Sequence, residues 1–205
     1  MITIVDYGAG NLASIANMLR KVGAESRVSA DPADVRTADK LILPGVGHFD
    51  HGMQNLRARG LDEALTQRVV REGVPILGIC LGLQLFARGS EEGTSSGLGW
   101  IDADVRRFDT SRMAEALRVP HMGWADVSIE HPDALVESLP PDPRFYFVHS
   151  FHIVADHEPD VLVRAVHGYA FVAGVARGHI RGVQFHPEKS HKFGMKLLAN
   201  FAERI

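Results

Sequence analysis

The feature that most limits the fold is an alternation, through the first half of the chain, of short β-branched runs with amphipathic stretches of helical period. Residues 2–7 read as a buried strand ending in Gly8-Ala9-Gly10-Asn11, after which Leu12, Ile15, Ala16 and Leu19 recur at helix spacing. Val28 lies in a second expected strand, closed by Asp31-Pro32. Leu41-Ile42-Leu43 form a third, running straight into Pro44-Gly45-Val46-Gly47. A helix is expected over 61–72, stopped by Gly73, then a fourth strand over 74–79 and a helix over 81–88. Strands alternating with helices predict an α/β fold with a mostly parallel central sheet flanked by helices on both faces.

The second half has another rhythm. Segments 101–107, 124–129, 145–149, 161–166, 171–177 and 179–183 read as short strands with little helix between them. They predict an antiparallel β extension of the α/β core. Residues 193–204 close the chain as a helix, with Met195, Leu198 and Phe201 expected to point inward. The Gly/Ser/Glu-rich stretch 90–99 reads as a surface loop. No repeat or linker divides the chain, so residues 1–205 are expected to form one domain.

Composition narrows the function. Lys and Arg number 22 against 25 Asp and Glu, a net charge of −3, and no basic run offers a track for nucleic-acid phosphates. The first residues lack the basic-then-apolar layout of a signal peptide. No apolar run approaches the ~20 residues that span a bilayer, so no membrane partner is expected. A single cysteine, Cys80, excludes an internal disulfide and fits a reducing compartment, which makes the cytoplasm the expected location.

That cysteine stands in the most informative segment, Val74-Pro75-Ile76-Leu77-Gly78-Ile79-Cys80-Leu81-Gly82. An apolar strand enters Gly-x-Cys-x-Gly and a helical pattern follows, the thiol counterpart of the Gly-x-Ser-x-Gly nucleophile elbow. A turn that sharp strains the central residue and needs glycine on either side. Cys80 is then expected at a helix N-terminus, which favours thiolate, with the Leu81 N–H directed at a developing oxyanion. A lone cysteine in an apolar stretch is more often inert core, and the two glycines are what favour catalysis.

A thiolate nucleophile needs a proton carrier and a group to orient it. Gly182-Val183-Gln184-Phe185-His186-Pro187-Glu188 supplies both: a strand over 180–185 delivers His186, and Pro187 turns the chain so that Glu188 can fold back beside the imidazole. Alone, His-Pro-Glu among 11 histidines is an ordinary polar turn. Combined with the elbow, it places both elements at strand ends, where α/β sheets carry their sites. His48 and His51, and His149 and His152, stand at i, i+3, but without a Glu between them or a thiolate cluster they are read as loop or surface residues. No metal or cofactor is expected. Gly8-Ala9-Gly10 is too short for a phosphate loop.

Gly78-Ile79-Cys80-Leu81-Gly82-Leu83-Gln84 with His186-Pro187-Glu188 resembles the signature of the class I glutamine amidotransferases. Asp6-Tyr7-Gly8-Ala9-Gly10-Asn11, Pro44-Gly45-Val46-Gly47, Pro120-His121-Met122-Gly123-Trp124, 145–150 and 185–190 occur in that order, and together they resemble the glutaminase subunits of imidazole glycerol phosphate synthases. The resemblance covers essentially the whole chain. It implies a flavodoxin-like core, Cys80 as nucleophile, His186 as acid/base and Glu188 as orienting carboxylate. It implies Val46 and Leu81 as oxyanion donors, with a peptide at 44–47 that must reorient before its N–H faces the substrate. Gly47, Gln84, Ser150 and Phe151 fall at glutamine-binding positions, Phe151 replacing a commoner Tyr. His48 replaces a commoner small residue.

Asn11, Met122, Trp124 and Lys189 match positions facing a (βα)8-barrel cyclase partner, though Met122 and Trp124 also suit plain core packing. The implied activity is hydrolysis of L-glutamine and delivery of ammonia to the cyclase for histidine biosynthesis. The cyclase would convert a phosphoribulosyl-formimino aminoimidazole carboxamide ribotide into imidazole glycerol phosphate and an aminoimidazole ribotide. Three alternatives stay open: the glutaminase subunit of another amidotransferase, a cysteine peptidase with a similar elbow, and a non-catalytic binding subunit of the same fold.

Overall fold

The structure, a computed structural model, describes residues 1–113 and 117–205. The chain runs β1 (Ile2–Val5), α1 (Leu12–Lys21), β2 (Ser26–Ser29), α2 (Pro32–Arg36), β3 (Lys40–Gly45), α3 (Phe49–Ala58) and α4 (Leu61–Thr66), the last continuing as a π-turn, Gln67–Arg71. Then come β4 (Ile76–Cys80), α5 (Leu81–Gln84), β5 (Ala103–Arg107), β6 (His121–Ile129), β7 (Arg144–His149) and β8 (Phe151–Ala155). β9 (Val161–His167), β10 (Tyr169–Arg177), β11 (Ile180–Val183) and α6 (His191–Arg204) complete it.

Strand order is β2-β1-β3-β4-β11-β10-β9-β6-β7, with β8 joining β10 to β5. β2, β1, β3, β4 and β11 pair in parallel, and the strand-to-strand pairings beyond β11 among the described residues are antiparallel. This is the expected α/β sheet with its antiparallel extension, with one reassignment: β11, read as part of the extension, is the fifth parallel strand. Period-two alternation splits the strands between two cores. Leu41, Leu43 and Ile76 pack with Val35, Phe49, Met53, Leu56 and Leu65 from α2, α3 and α4. Ile42, Leu77 and Ile79 pack with Ile15 and Leu19 of α1 and Leu197, Leu198 and Phe201 of α6. Helices therefore cover both faces.

Several local expectations are corrected. Met195, expected to point inward, is 36% exposed, because α6 turns Phe193 and Leu197 inward together with the expected Leu198 and Phe201. The helix expected over 81–88 is one turn long. Beyond Gln84 the carbonyls of Leu85, Phe86, Ala87 and Arg88 accept from the backbone N–H groups of Leu98, Trp100, Gly99 and Gly97, which ends the helical ladder. That same pairing ties down the 90–99 segment, where Asp50 also accepts from the Thr94 and Ser95 N–H groups. α2, α3 and β8 are not among the elements expected from the sequence.

Candidate active site

The elbow forms where β4 meets α5. Cys80 is the last residue of β4 and sits at φ +55°, ψ −110°, a conformation that strains any residue with a Cβ. The flanking glycines explain how the turn closes. A Cβ on Gly78 would lie 2.8 Å from the Leu83 nitrogen, and one on Gly82 would collide with the Leu43 carbonyl of β3. β3 runs parallel to β4, with Gly45 opposite Cys80, so residues 46 and 47 emerge beside the thiol.

The Cys80 side of the elbow opens onto a cavity of about 360 Å³. Val46, Gly47, Leu81, Gln84, Ser150 and Phe151 all line it with Cys80, so six predicted residues meet around the predicted nucleophile. Cys80 is 6% exposed. Gly47 holds φ +113°, open to glycine and strained for other residues. Glu92 and His149 line the same cavity and were not assigned to it from sequence. Glu92 also accepts the Phe49 N–H that begins α3, at 2.8 Å.

His186 follows β11 in extended backbone, and Pro187–Lys189 makes one tight turn. The His186 Nδ1–H donates to Glu188 Oε1 at 2.8 Å, with both side chains only 1% exposed. Nε2 is buried and makes no hydrogen bond of good geometry to a described protein group, which leaves it for the neighbouring thiol. Burial works against charge on this imidazole, yet Cys80 and Glu188 outweigh it and push its pKa up to about 9. An imidazolium facing sulfur and braced by a carboxylate can hold a thiolate and return a proton to a leaving amine.

A polar chain runs behind the cavity. Gln84 Nε2 donates to the Phe151 carbonyl and to Gln184 Oε1, both at 3.0 Å, and Gln184 Nε2 donates to Cys80 Sγ at 3.6 Å. Gln184 is fully buried. Tyr7 is as well, its hydroxyl beside Gly45 and without a partner among the described residues. Burial first, then Cys80, holds its phenol above the ordinary range.

The remaining predicted residues lie elsewhere. Asn11 is the half-buried cap of α1, its side chain making no cap hydrogen bond. Met122 is 63% exposed and Trp124 39% exposed, so neither is core; Trp124 stacks on His191 with centroids 5.5 Å apart. Exposed Lys189 sits over the Tyr146 ring at 5.6 Å. His48, exposed, caps α3 by accepting the Asp50 N–H at 3.2 Å. The reading of His149 and His152 as surface residues is overturned. Each is 6% exposed, because both rings turn onto Phe108 and Phe171. Among the described residues no group of three or more His, Cys, Asp or Glu could hold a metal ion.

Residues 3–205 match the family model described as glutamine amidotransferase class-I. The chain belongs to that family. It is 49% identical over 207 residues to imidazole glycerol phosphate synthase subunit HisH 2 of Pseudomonas aeruginosa, covering 100% of both chains. It is 45% identical over 204 residues to the protein of that name from Methanococcus maripaludis, again covering 100% of both. Among solved structures, a putative GMP synthase subunit protein from Thermoplasma acidophilum aligns with a TM-score of 0.72 at 22% identity, over 98% of this chain and 91% of that one. PurLQS from Thermotoga maritima aligns with a TM-score of 0.68 at 21% identity, over 98% and 96%. At those identities the structures share the fold alone.

Proposed function

We propose that the chain hydrolyses L-glutamine to glutamate and ammonia with Cys80, His186 and Glu188, and passes the ammonia to the (βα)8-barrel cyclase subunit of an imidazole glycerol phosphate synthase. The reading is carried by one observation: the likeness to HisH subunits runs the full length of the chain, at 49% and 45% identity. The strained thiol beside a buried imidazole–carboxylate pair supports it.

In this mechanism the Cys80 proton passes to His186 Nε2, and the thiolate attacks the side-chain amide carbon of glutamine. An S–C bond forms and the carbonyl electron pair moves onto oxygen, where the Val46 and Leu81 N–H groups receive it. Collapse expels ammonia, protonated by His186. Water then gives a proton to His186 and attacks the thioester, releasing glutamate and restoring the thiolate. Removing one oxyanion donor costs about 3–4 kcal/mol of barrier, so a Val46 peptide turned away from the cavity would nearly silence the reaction. A partner that favours the aligned peptide would couple hydrolysis to demand. Glu92, the acidic wall of the cavity, suits the substrate's ammonium; Gly47 and Gln84 are read as lining the glutamine pocket, and Ser150 and Phe151 as the seat of its amino-acid end, a reading supported by their shared cavity.

Asn11, Met122, Trp124 and Lys189 are read as the docking surface for the cyclase. Exposure of Met122 and Trp124 supports this, since large apolar side chains left on a surface mark an interaction face. We read residues 1–205 as one glutamine amidotransferase domain, supported by β11, which pairs with β4 on one side and β10 on the other. No helix among the described residues is long and apolar enough to cross a membrane, and the single free thiol suits the cytoplasm.

The test is Cys80→Ala in the complex reconstituted with the cyclase. Glutamine-dependent turnover is expected to vanish while ammonia-dependent turnover stays. Glutaminase activity surviving in that variant would remove Cys80 from the mechanism.

A further inference from the structure

The thiolate lacks an obvious source of stabilisation within its own elbow. Its helix is a single turn, Leu81–Gln84, so few peptide dipoles align behind it. Cys80 belongs to the same buried apolar cluster as Leu77, Ile79 and Phe185. A fully buried Gln184 amide reaches the sulfur from the strand side, and the triad chemistry leaves it without a role.

The direction of that contact is fixed from the far end. The Phe151 carbonyl can only accept, so Gln84 must present its NH₂ to it. The other proton of that NH₂ goes to Gln184, which must therefore present its oxygen to Gln84. What Gln184 has left for Cys80 is its own NH₂, a donor. Rotating either amide by half a turn would set donor against donor or acceptor against carbonyl. Such a network has one satisfied orientation, and that orientation aims N–H at sulfur. The sequence supports the arrangement: Gln184 and His186 stand two apart just past the end of β11, so one short segment brings both a neutral donor and the imidazole to the same sulfur.

We propose that Gln184 is a positioning residue for the nucleophile, its amide held by Gln84 and the Phe151 carbonyl so that it donates to the Cys80 sulfur and favours the thiolate over the thiol. The proposal rests on Cys80 being the nucleophile of the glutaminase reaction. It adds a link between the cavity wall that seats the substrate and the reacting sulfur, because Gln84 and Phe151 line that cavity.

The chain has one cysteine, so alkylation by iodoacetamide followed by intact mass reports Cys80 alone. In the full-length protein, the midpoint of the alkylation rate against pH is expected to rise by about one pH unit in Gln184→Met. That is a tenfold slower reaction on the acid side. Gln184→Glu, close to glutamine in shape, sets a carboxylate against the sulfur and is expected to move the midpoint at least as far. Gln84→Met frees the Gln184 amide without replacing it and carries the measurement should Gln184→Met not fold; a smaller rise is expected. In glutamine hydrolysis by the complex, Gln184→Met should lower kcat with KM nearly unchanged. Folded variants whose midpoints stay with the wild type overturn the proposal and leave Gln184 a space-filling residue. The two readings fail separately. Glutaminase surviving in Cys80→Ala removes the nucleophile, whereas unmoved midpoints with Cys80→Ala inactive remove only the role of Gln184.

Discussion

His186 and Glu188 are two residues apart, yet their side chains meet at 2.8 Å and are both sealed from solvent. Pro187 makes this possible by ending the extended run and starting the tight turn that brings the carboxylate back. Glu188 then fixes the proton on Nδ1 and turns Nε2 toward the thiol. Glu188→Gln keeps the shape and removes the charge. It should lower glutaminase kcat by roughly two to four orders of magnitude, because the acid/base His186 loses the charge that orients it and stabilises its imidazolium, with little change in KM. A kcat within a few-fold of wild type would make Glu188 a bystander. At this scale the candidate site is legible wherever its residues and a turn share one short stretch: Cys80 between its glycines, His186 and Glu188 around a proline. Gln184 and Glu92 are not, because their partners lie far along the chain. The sulfur is 104 residues from Gln184, and Phe49 is 43 from Glu92. No local pattern encodes such pairs.

At the scale of elements, the elbow depends on how closely β3 approaches the turn after Cys80. Gly82 is where that approach is tightest, its missing Cβ facing the Leu43 carbonyl, a backbone atom that can yield only if the strand shifts. Gly82→Ala should destabilise the protein by about 1–3 kcal/mol, lowering Tm by several degrees, and should slow glutamine hydrolysis as Cys80 is displaced. An unchanged melt would mean that β3 and α5 have slack. Docking is also an element-scale matter. β6 presents Met122 and Trp124 outward, and Trp124→Ala should weaken cyclase binding by about 2 kcal/mol or more while leaving the free subunit's melting temperature nearly unchanged. Equal affinity in a titration would place the interface elsewhere. Elements escaped the sequence for identifiable reasons. α3 carries Gly52 and several polar residues of low helix propensity, and forms because Phe49, Met53 and Leu56 recur on one buried face. β8 follows β7 after Ser150 alone, without glycine or proline to mark the break, and pairs with β5 and β10 instead of β6. The helix after Cys80 was overextended because its apolar residues serve pairing with 97–101 rather than helix packing.

Across the whole molecule, stability should peak near neutral pH, because buried histidines act in opposite directions on its two sides. His121, His149 and His152 surround Phe108 and Phe171, with His167 stacked on His121 at 4.2 Å. Burial, reinforced by His167, lowers the His121 pKa to about 4. Burial also holds His149 well below its ordinary value, against the bond from its Nδ1–H to the Phe151 carbonyl. His152 is lowered chiefly by burial, with Glu91 and Arg112 pulling in opposite directions. These groups bind protons in the unfolded chain at about 6.5 and resist them in the folded one, so their contribution is present above that pH and is lost as pH falls toward 4. For His121 alone the loss is about 3 kcal/mol. His186 has the opposite sign. With its folded pKa near 9, its contribution is full below about 6.5 and is lost as pH rises through 9. Between pH 6.5 and 4 His186 is protonated in both states and adds no slope, so the acid arm belongs to the aromatic cluster until the carboxylates titrate. Urea melts from pH 4 to 9 should therefore give a dome. His121→Phe, which keeps a ring against Phe147 and His167 but binds no proton, should flatten the acid arm by about 1.4 kcal/mol per pH unit and leave the alkaline arm alone. An acid arm with unchanged slope in that variant would show that the carboxylates, and not the buried rings, set the acid limit of the fold.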